Sequence, residues 1–129
     1  MKRLVLDLDG TLTYDEPSLA YEDKRPRLDV INRVREYKEI GFTIIIATAR
    51  NMNSFQNSVG LINAKTLPVV IDWLKRYDVP FDEIYVGKPW CGHEGFYVDD
   101  KAIRPDELIN LTLNEIRFLT KCITPGEPQ

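Results

Sequence analysis

The sequence predicts an α/β domain with a mainly parallel sheet. Three observations carry this: short strands apolar on both faces, helical periodicity between them, and acidic residues placed where two of those strands stop. Leu4-Val5-Leu6, followed by Leu8, is the first β-prone run, and Phe42 to Ala47 is a second, almost wholly apolar one. Between them Val30, Ile31, Val34, Tyr37 and Ile40 recur at three- and four-residue steps, which predicts an amphipathic helix stopped by Gly41. A second helix is expected from Thr66 as N-cap through Leu67, Val70, Ile71, Leu74 and Tyr77, ending before Pro80. Ile84-Tyr85-Val86 and Phe96-Tyr97-Val98 read as two further strands. Thr112-Leu113-Asn114-Glu115 has the form of a capping box, opening a helix expected to bury Ile116, Leu119 and Ile123.

Two connections exceed the usual four to six residues: Thr13 to Arg27, polar and with Pro17 and Pro26, and Arg50 to Lys65, rich in Asn. Both leave the carboxyl ends of strands, where open α/β sheets bind ligands. The whole chain is 129 residues with no compositional break, so one domain is expected over 1–123, with 124–129 fraying. Seventeen basic against twenty acidic residues leave a net charge of −3, which argues against a general nucleic-acid binder. Cys91 and Cys122 are too few for a disulfide framework and stand in no Cys-x-x-Cys pair, so free thiols in a reducing cytoplasm are expected. Asp7 and Asp9 break the N-terminal apolar run and no small-residue cleavage site comes after them, so no secretory signal is expected. No stretch approaches the ~20 apolar residues of a membrane span.

The sharpest feature is Leu6-Asp7-Leu8-Asp9-Gly10-Thr11. Alternate strand residues point the same way, so both aspartates can face one site while Gly10 lets the chain turn. Turn formation alone accounts for Asp9-Gly10 but leaves Asp7 as a carboxylate beside the core. An EF-hand loop fails, because Leu12 stands at the sixth position where Gly is needed and Ser18 at the twelfth in place of Glu. Asp99-Asp100 is a second acidic pair after a short apolar run; alone it would read as a helix N-cap. Four carboxylates crowded together need a cation, and an all-oxygen set suits Mg²⁺, which completes its octahedron with waters and a substrate phosphate. Thr48, ending the second strand, could offer a hydroxyl to a phosphate oxygen, or be a buried β-branched residue. Lys88 in Gly87-Lys88-Pro89 could neutralise a transferring phosphoryl group, or be a solvated turn lysine.

In this order, Asp-x-Asp-Gly-Thr, Thr, Lys and Asp-Asp resemble the four-motif signature of the haloacid dehalogenase (HAD) superfamily, over Asp7 to Asp100. The resemblance implies a Rossmann-like three-layer sandwich with the first strand central, and Mg²⁺-dependent phosphoryl transfer. It makes Asp7 the nucleophile, Asp9 the general acid and base, and Thr48 and Lys88 the holders of the phosphoryl oxygens. Asp7, the Asp9 carbonyl, Asp99 and Asp100 would form the metal site. Gly10, Thr11, Ala49, Arg50, Trp90 and His93 are expected on the substrate side. In the family the Lys usually precedes a helix leading into the fourth strand, whereas here six residues separate Lys88 from Gly95. A hairpin of 84–86 with 96–98 would put Lys88 ~13 Å from Asp99 and favour Arg50, Lys65 or Lys101 in its place.

Neither interval between motifs has room for a cap domain, so the chain resembles capless members, which act on large substrates or take a lid from a neighbouring subunit. It also resembles small phosphatases associated with bacterial capsule polysaccharide synthesis. That implies a small phosphorylated substrate such as a sugar phosphate, no nucleic acid or membrane partner, a homo-oligomer supplying the cover, and a cytoplasmic location. Two alternatives are a phosphatase for phosphoprotein or nucleic-acid ends and a phospho-accepting signalling domain. The second fits poorly, since such receivers place their acidic pair first and a lone accepting Asp in mid-chain.

Overall fold

The computed structural model describes residues 1–121 and is mixed α/β. Cys122, Ile123 and the expected frayed tail 124–129 lie outside the described residues. The chain divides into two compact units, the first Met1–Trp90 and the second starting at Cys91.

The first unit holds a parallel sheet of β1 (Arg3–Leu6), β2 (Thr43–Ala47) and β3 (Glu83–Tyr85), in that spatial order. Leu6 pairs with Ile46 and Ala47 with Tyr85, so the three strands stop near one level. Ile44, Ile45 and Ile46 are all within 2% of complete burial; because successive side chains of a strand alternate faces, β2 is covered on both. That expectation fails for β1, where Val5 is 59% exposed. The resemblance put the first strand at the centre, yet among the described residues β1 is an edge strand and β2 is central. The expected strand Phe96–Val98 is not formed, and all three of its residues are exposed. A run of three residues has β-propensity but no stability without a pairing partner.

Helix α1 (Leu28–Glu39) buries Val30, Ile31, Val34 and Tyr37 as its periodicity predicts, while Ile40 stays outside at the helix end. Gly41 reverses the chain there with φ 102°. Two side chains tie α1 to the segment leading into β3: Arg35 donates to the carbonyls of Tyr77 and Asp78, and Lys38 bonds both oxygens of Asp82. Asp82 also accepts the Ile44 amide, so one carboxylate joins α1, β2 and the approach to β3.

Thr66 is not the N-cap that its position before Leu67 suggests. The chain is already helical through α2 (Val59–Leu61) and a π-helical turn (Ile62–Thr66), which run directly into α3 (Leu67–Arg76). The side-chain cap is Ser58, which accepts from the Leu61 amide, and the fully buried Ile62 extends the apolar stripe backwards. Much of the expected loop from Arg50 to Lys65 is therefore helical. The other long connection is closed at its base by bonds from Tyr14 N–H to the Arg25 carbonyl and Arg27 N–H to the Leu12 carbonyl, and carries a 3₁₀ turn, Tyr21–Asp23.

The second unit contains α4 (Pro105–Asn110), which the sequence pattern did not announce, and α5 (Leu113–Thr120). Pro105 suits the first helical turn of α4, and the Glu107 carboxylate accepts the Arg104 amide. The Thr112/Glu115 capping box of α5 forms as expected. Its expected burial does not: Ile116 is half-buried and Leu119 is 53% exposed. No helix among the described residues is long and apolar enough to cross a membrane.

Candidate active site

The register of the sheet brings three sequence motifs to one end. Asp7 comes directly after β1, Thr48 directly after β2, and Lys88 lies three residues beyond β3. Thr48 N–H donates to the Tyr85 carbonyl at 2.9 Å and its own carbonyl accepts Lys88 N–H at 3.2 Å, so the parallel pairing extends past the strands and fixes Lys88. The Lys88 ammonium stands 4.0 Å from Asp7 Oδ1. The hairpin arrangement that would have carried Lys88 away does not occur.

After Asp9 the chain turns back over the Leu8 carbonyl, which accepts the amides of Thr11, Leu12 and Thr13 at 2.9 to 3.2 Å. Gly10 makes the turn at φ 78°, a conformation that disfavours any residue with a Cβ. The Gly10 amide donates to the buried Thr13 hydroxyl, which sequence reasoning did not single out.

The two aspartates differ in what surrounds them. Asp7 Oδ1 accepts the Leu8 amide at 2.8 Å. Burial pushes its carboxyl above the ordinary value; Lys88, the Leu8 amide and Arg50 oppose that, and the Asp9 charge adds to it. Asp9 is gripped on both oxygens by Arg50, Nε to Oδ2 at 3.0 Å and Nη2 to Oδ1 at 2.8 Å, a bidentate charge-assisted pair. The Arg50 side chain is 0% exposed, its Cζ lies 4.2 Å from the centre of the Tyr21 ring, and its Nη1 is buried with no hydrogen-bond partner. The Arg50 amide donates to the buried Thr48 hydroxyl at 3.0 Å. Burial and then the Asp9 charge raise the Tyr21 phenol. Tyr21 carries no motif signal; only its place in an overlong polar loop could have flagged it.

Arg50 thus lies beside the aspartates, engaged by Asp9 through Nε and Nη2, and Ala49 precedes it in the chain. Lys65 is exposed in the π-helical turn. Asn51, at φ 64°, accepts from the Thr66 hydroxyl at 2.7 Å and pins the start of the second connection. Trp90, 39% exposed, ends the first unit. His93, Asp99, Asp100 and Lys101 belong to the second unit and are exposed, and Asp99 Oδ1 accepts the Lys101 amide. No group of three or more His, Cys, Asp or Glu that could hold a metal is found among the described residues. The first unit's own donors still suit Mg²⁺. Asp7 is a part-buried carboxylate whose charge burial disfavours, a cation would relieve that, and Mg²⁺ commonly takes only one or two carboxylates with waters and phosphate oxygens.

No family model and no curated protein matches the chain. A crystal structure of a structural-genomics target from Vibrio cholerae matches with 53% sequence identity and a TM-score of 0.88, over 93% of this chain and 97% of that one. At that identity and coverage the chain belongs to the same family as the Vibrio cholerae protein.

Proposed function

We propose that the protein is a Mg²⁺-dependent phosphomonoester hydrolase of the HAD type, without a cap domain, in which Asp7 is the nucleophile. The observation that carries this reading is the meeting of Asp7, Thr48 and Lys88 at the carboxyl ends of three parallel strands, with Lys88 Nζ 4.0 Å from Asp7 Oδ1. A carboxylate nucleophile beside a lysine and a β-branched hydroxyl is an arrangement for phosphoryl transfer, where positioning and charge neutralisation supply most of the acceleration.

In the first step an Asp7 oxygen attacks phosphorus and the bond from phosphorus to the leaving oxygen breaks, Asp9 supplying the proton that oxygen takes. In the second, water attacks the aspartyl-phosphate and gives its proton to Asp9, and phosphate departs as Asp7 is restored. Lys88 and the Thr48 side of the site hold the phosphoryl oxygens. Mg²⁺, which Asp7 and the Asp9 carbonyl would hold, would offset phosphate charge. A sugar phosphate or a related small metabolite of polysaccharide synthesis is the proposed substrate, handled in the cytoplasm, with the cover supplied by a second copy of the chain. Gly10, Thr11 and Trp90 are assigned to the substrate side.

The test is release of inorganic phosphate from a panel of sugar phosphates, nucleotides and phosphopeptides, with Mg²⁺ and with a chelator, for the natural chain and Asp7→Asn. Mg²⁺-dependent release that Asp7→Asn loses is expected. Full activity in Asp7→Asn, or no release from any ester, overturns the reading.

A further inference from the structure

Arg50 lies next to the proposed chemistry, yet its side chain is wholly buried. A buried charge needs a partner, and Arg50 has one on only part of its guanidinium: Nε and Nη2 bond the two Asp9 oxygens, while Nη1 is buried with no partner. Leaving a buried donor unsatisfied is costly, so a guanidinium retained here calls for a reason beyond packing. Tyr21 covers its face at 4.2 Å, a distance at which the ring attracts a cation.

Tyr21 does not ride on a loose loop. Trp73 Nε1–H in α3 donates to the Lys24 carbonyl, Arg76 Nη1–H donates to the Glu22 carbonyl, and the Lys24 ammonium donates to the Glu16 carbonyl. From the other side, the Arg50 amide is fixed on the Thr48 hydroxyl. A rigid line therefore runs from α3 through the 3₁₀ turn and Tyr21 to Arg50, and ends on the Asp9 carboxylate.

We propose that Arg50, backed by Tyr21, is a positioning residue for Asp9: the bidentate pair fixes the plane of the carboxylate, so that when one oxygen is released to carry the proton the other stays held and keeps it aimed. The inference rests on the phosphatase reading above, and it assigns to Arg50 a role through Asp9 in place of substrate contact. Such a residue acts on proton delivery to the leaving oxygen. Its loss therefore weighs most on esters whose leaving group needs that proton.

Phosphate release is measured from phenyl phosphate and from para-nitrophenyl phosphate, two esters of similar shape whose leaving groups differ in basicity. Arg50→Ala is expected to lower kcat on phenyl phosphate by about 10²-fold. On the nitrophenyl ester the loss is about tenfold smaller, with KM within about threefold on both, since a good leaving group needs less protonation. Tyr21→Ala shows the same unequal loss at reduced size, and Arg50→Lys restores part of the loss, because one donor replaces a fork. Arg50→Lys and Tyr21→Ala keep the test decisive if Arg50→Ala does not fold. Equal losses on the two esters, a change confined to KM, or unchanged kcat in an active protein overturns the positioning role and leaves the phosphatase reading standing. Absence of release by the natural chain from either ester, under conditions where the panel above is also silent, overturns both.

Discussion

Asp7 and Asp9, two residues apart at the end of β1, differ sharply in what holds each carboxylate. Asp7 accepts one amide, that of Leu8, and has an ammonium at 4.0 Å and a burial that works against its charge. Asp9 has a fixed partner, an arginine fork that occupies both oxygens and is itself walled in by Tyr21. In the proposed mechanism a nucleophile needs one oxygen open to phosphorus, whereas an acid–base group must present one oxygen in one direction and gains from a fork that fixes its plane. The contrast teaches that a strand's alternation can place two carboxylates on one side, while the loops beyond it decide what each can do.

Substitutions on the two sides should separate cleanly. The largest effect is expected for Asp7→Asn, which removes the attacking oxygen's charge and should lower phosphate release by about 10³-fold or more on every ester. Asp9→Asn should cost about 10²-fold, and less for esters with good leaving groups, because only proton transfer is lost. Lys88→Met, on the Asp7 side, should cost about tenfold to 10²-fold without regard to leaving group, since the proposed mechanism sets its charge against the phosphoryl oxygens. A leaving-group dependence in Lys88→Met equal to that of Asp9→Asn would erase the contrast.

A stability measurement sharpens it further. Because burial raises the folded-state value of Asp7 above its unfolded value, the folded chain binds that proton more tightly. The stability linked to Asp7 is then fully present below the unfolded carboxylate range and is lost as pH rises through the raised value. In a chelator, Asp7→Asn should melt higher than the natural chain at neutral pH, and the difference should close as pH falls below about 4. Partial exposure of Asp7 keeps the effect small. The smallest expected effect on activity is that of Trp73→Phe, which leaves the Lys24 carbonyl without its donor and loosens the backing of Tyr21. It should disturb the Asp9 side alone, read as a modest loss on phenyl phosphate.

Much of this was legible in the sequence, for physical reasons that differ from one element to the next. The strand β2 and helix α1 announce themselves because burial on both faces, or on one stripe, leaves a pattern in residue order. Asp7, Asp9 and Thr48 were legible because a parallel sheet puts strand ends at one level, and Lys88 because backbone bonds to Thr48 carry it there. The Arg50 clamp was not: its partners Asp9 and Tyr21 are distant in sequence, and no periodicity records a stacking ring in a loop. The expected strand 96–98 failed for a related reason, since three apolar residues describe a preference and the pairing partner decides the outcome. Thr66 misled because a cap residue and an interior helical threonine look alike when the turn before them is also helical.

The central claim is that Asp7 makes a covalent bond to phosphorus. It is tested most directly by mixing the natural chain with Mg²⁺ and an ester that it hydrolyses, quenching in acid within one turnover, and mapping the peptides by mass. The account predicts a phosphoryl group on the peptide that carries Asp7, absent in Asp7→Asn. Phosphate release with no phosphorylated peptide, together with full activity in Asp7→Asn, would contradict it.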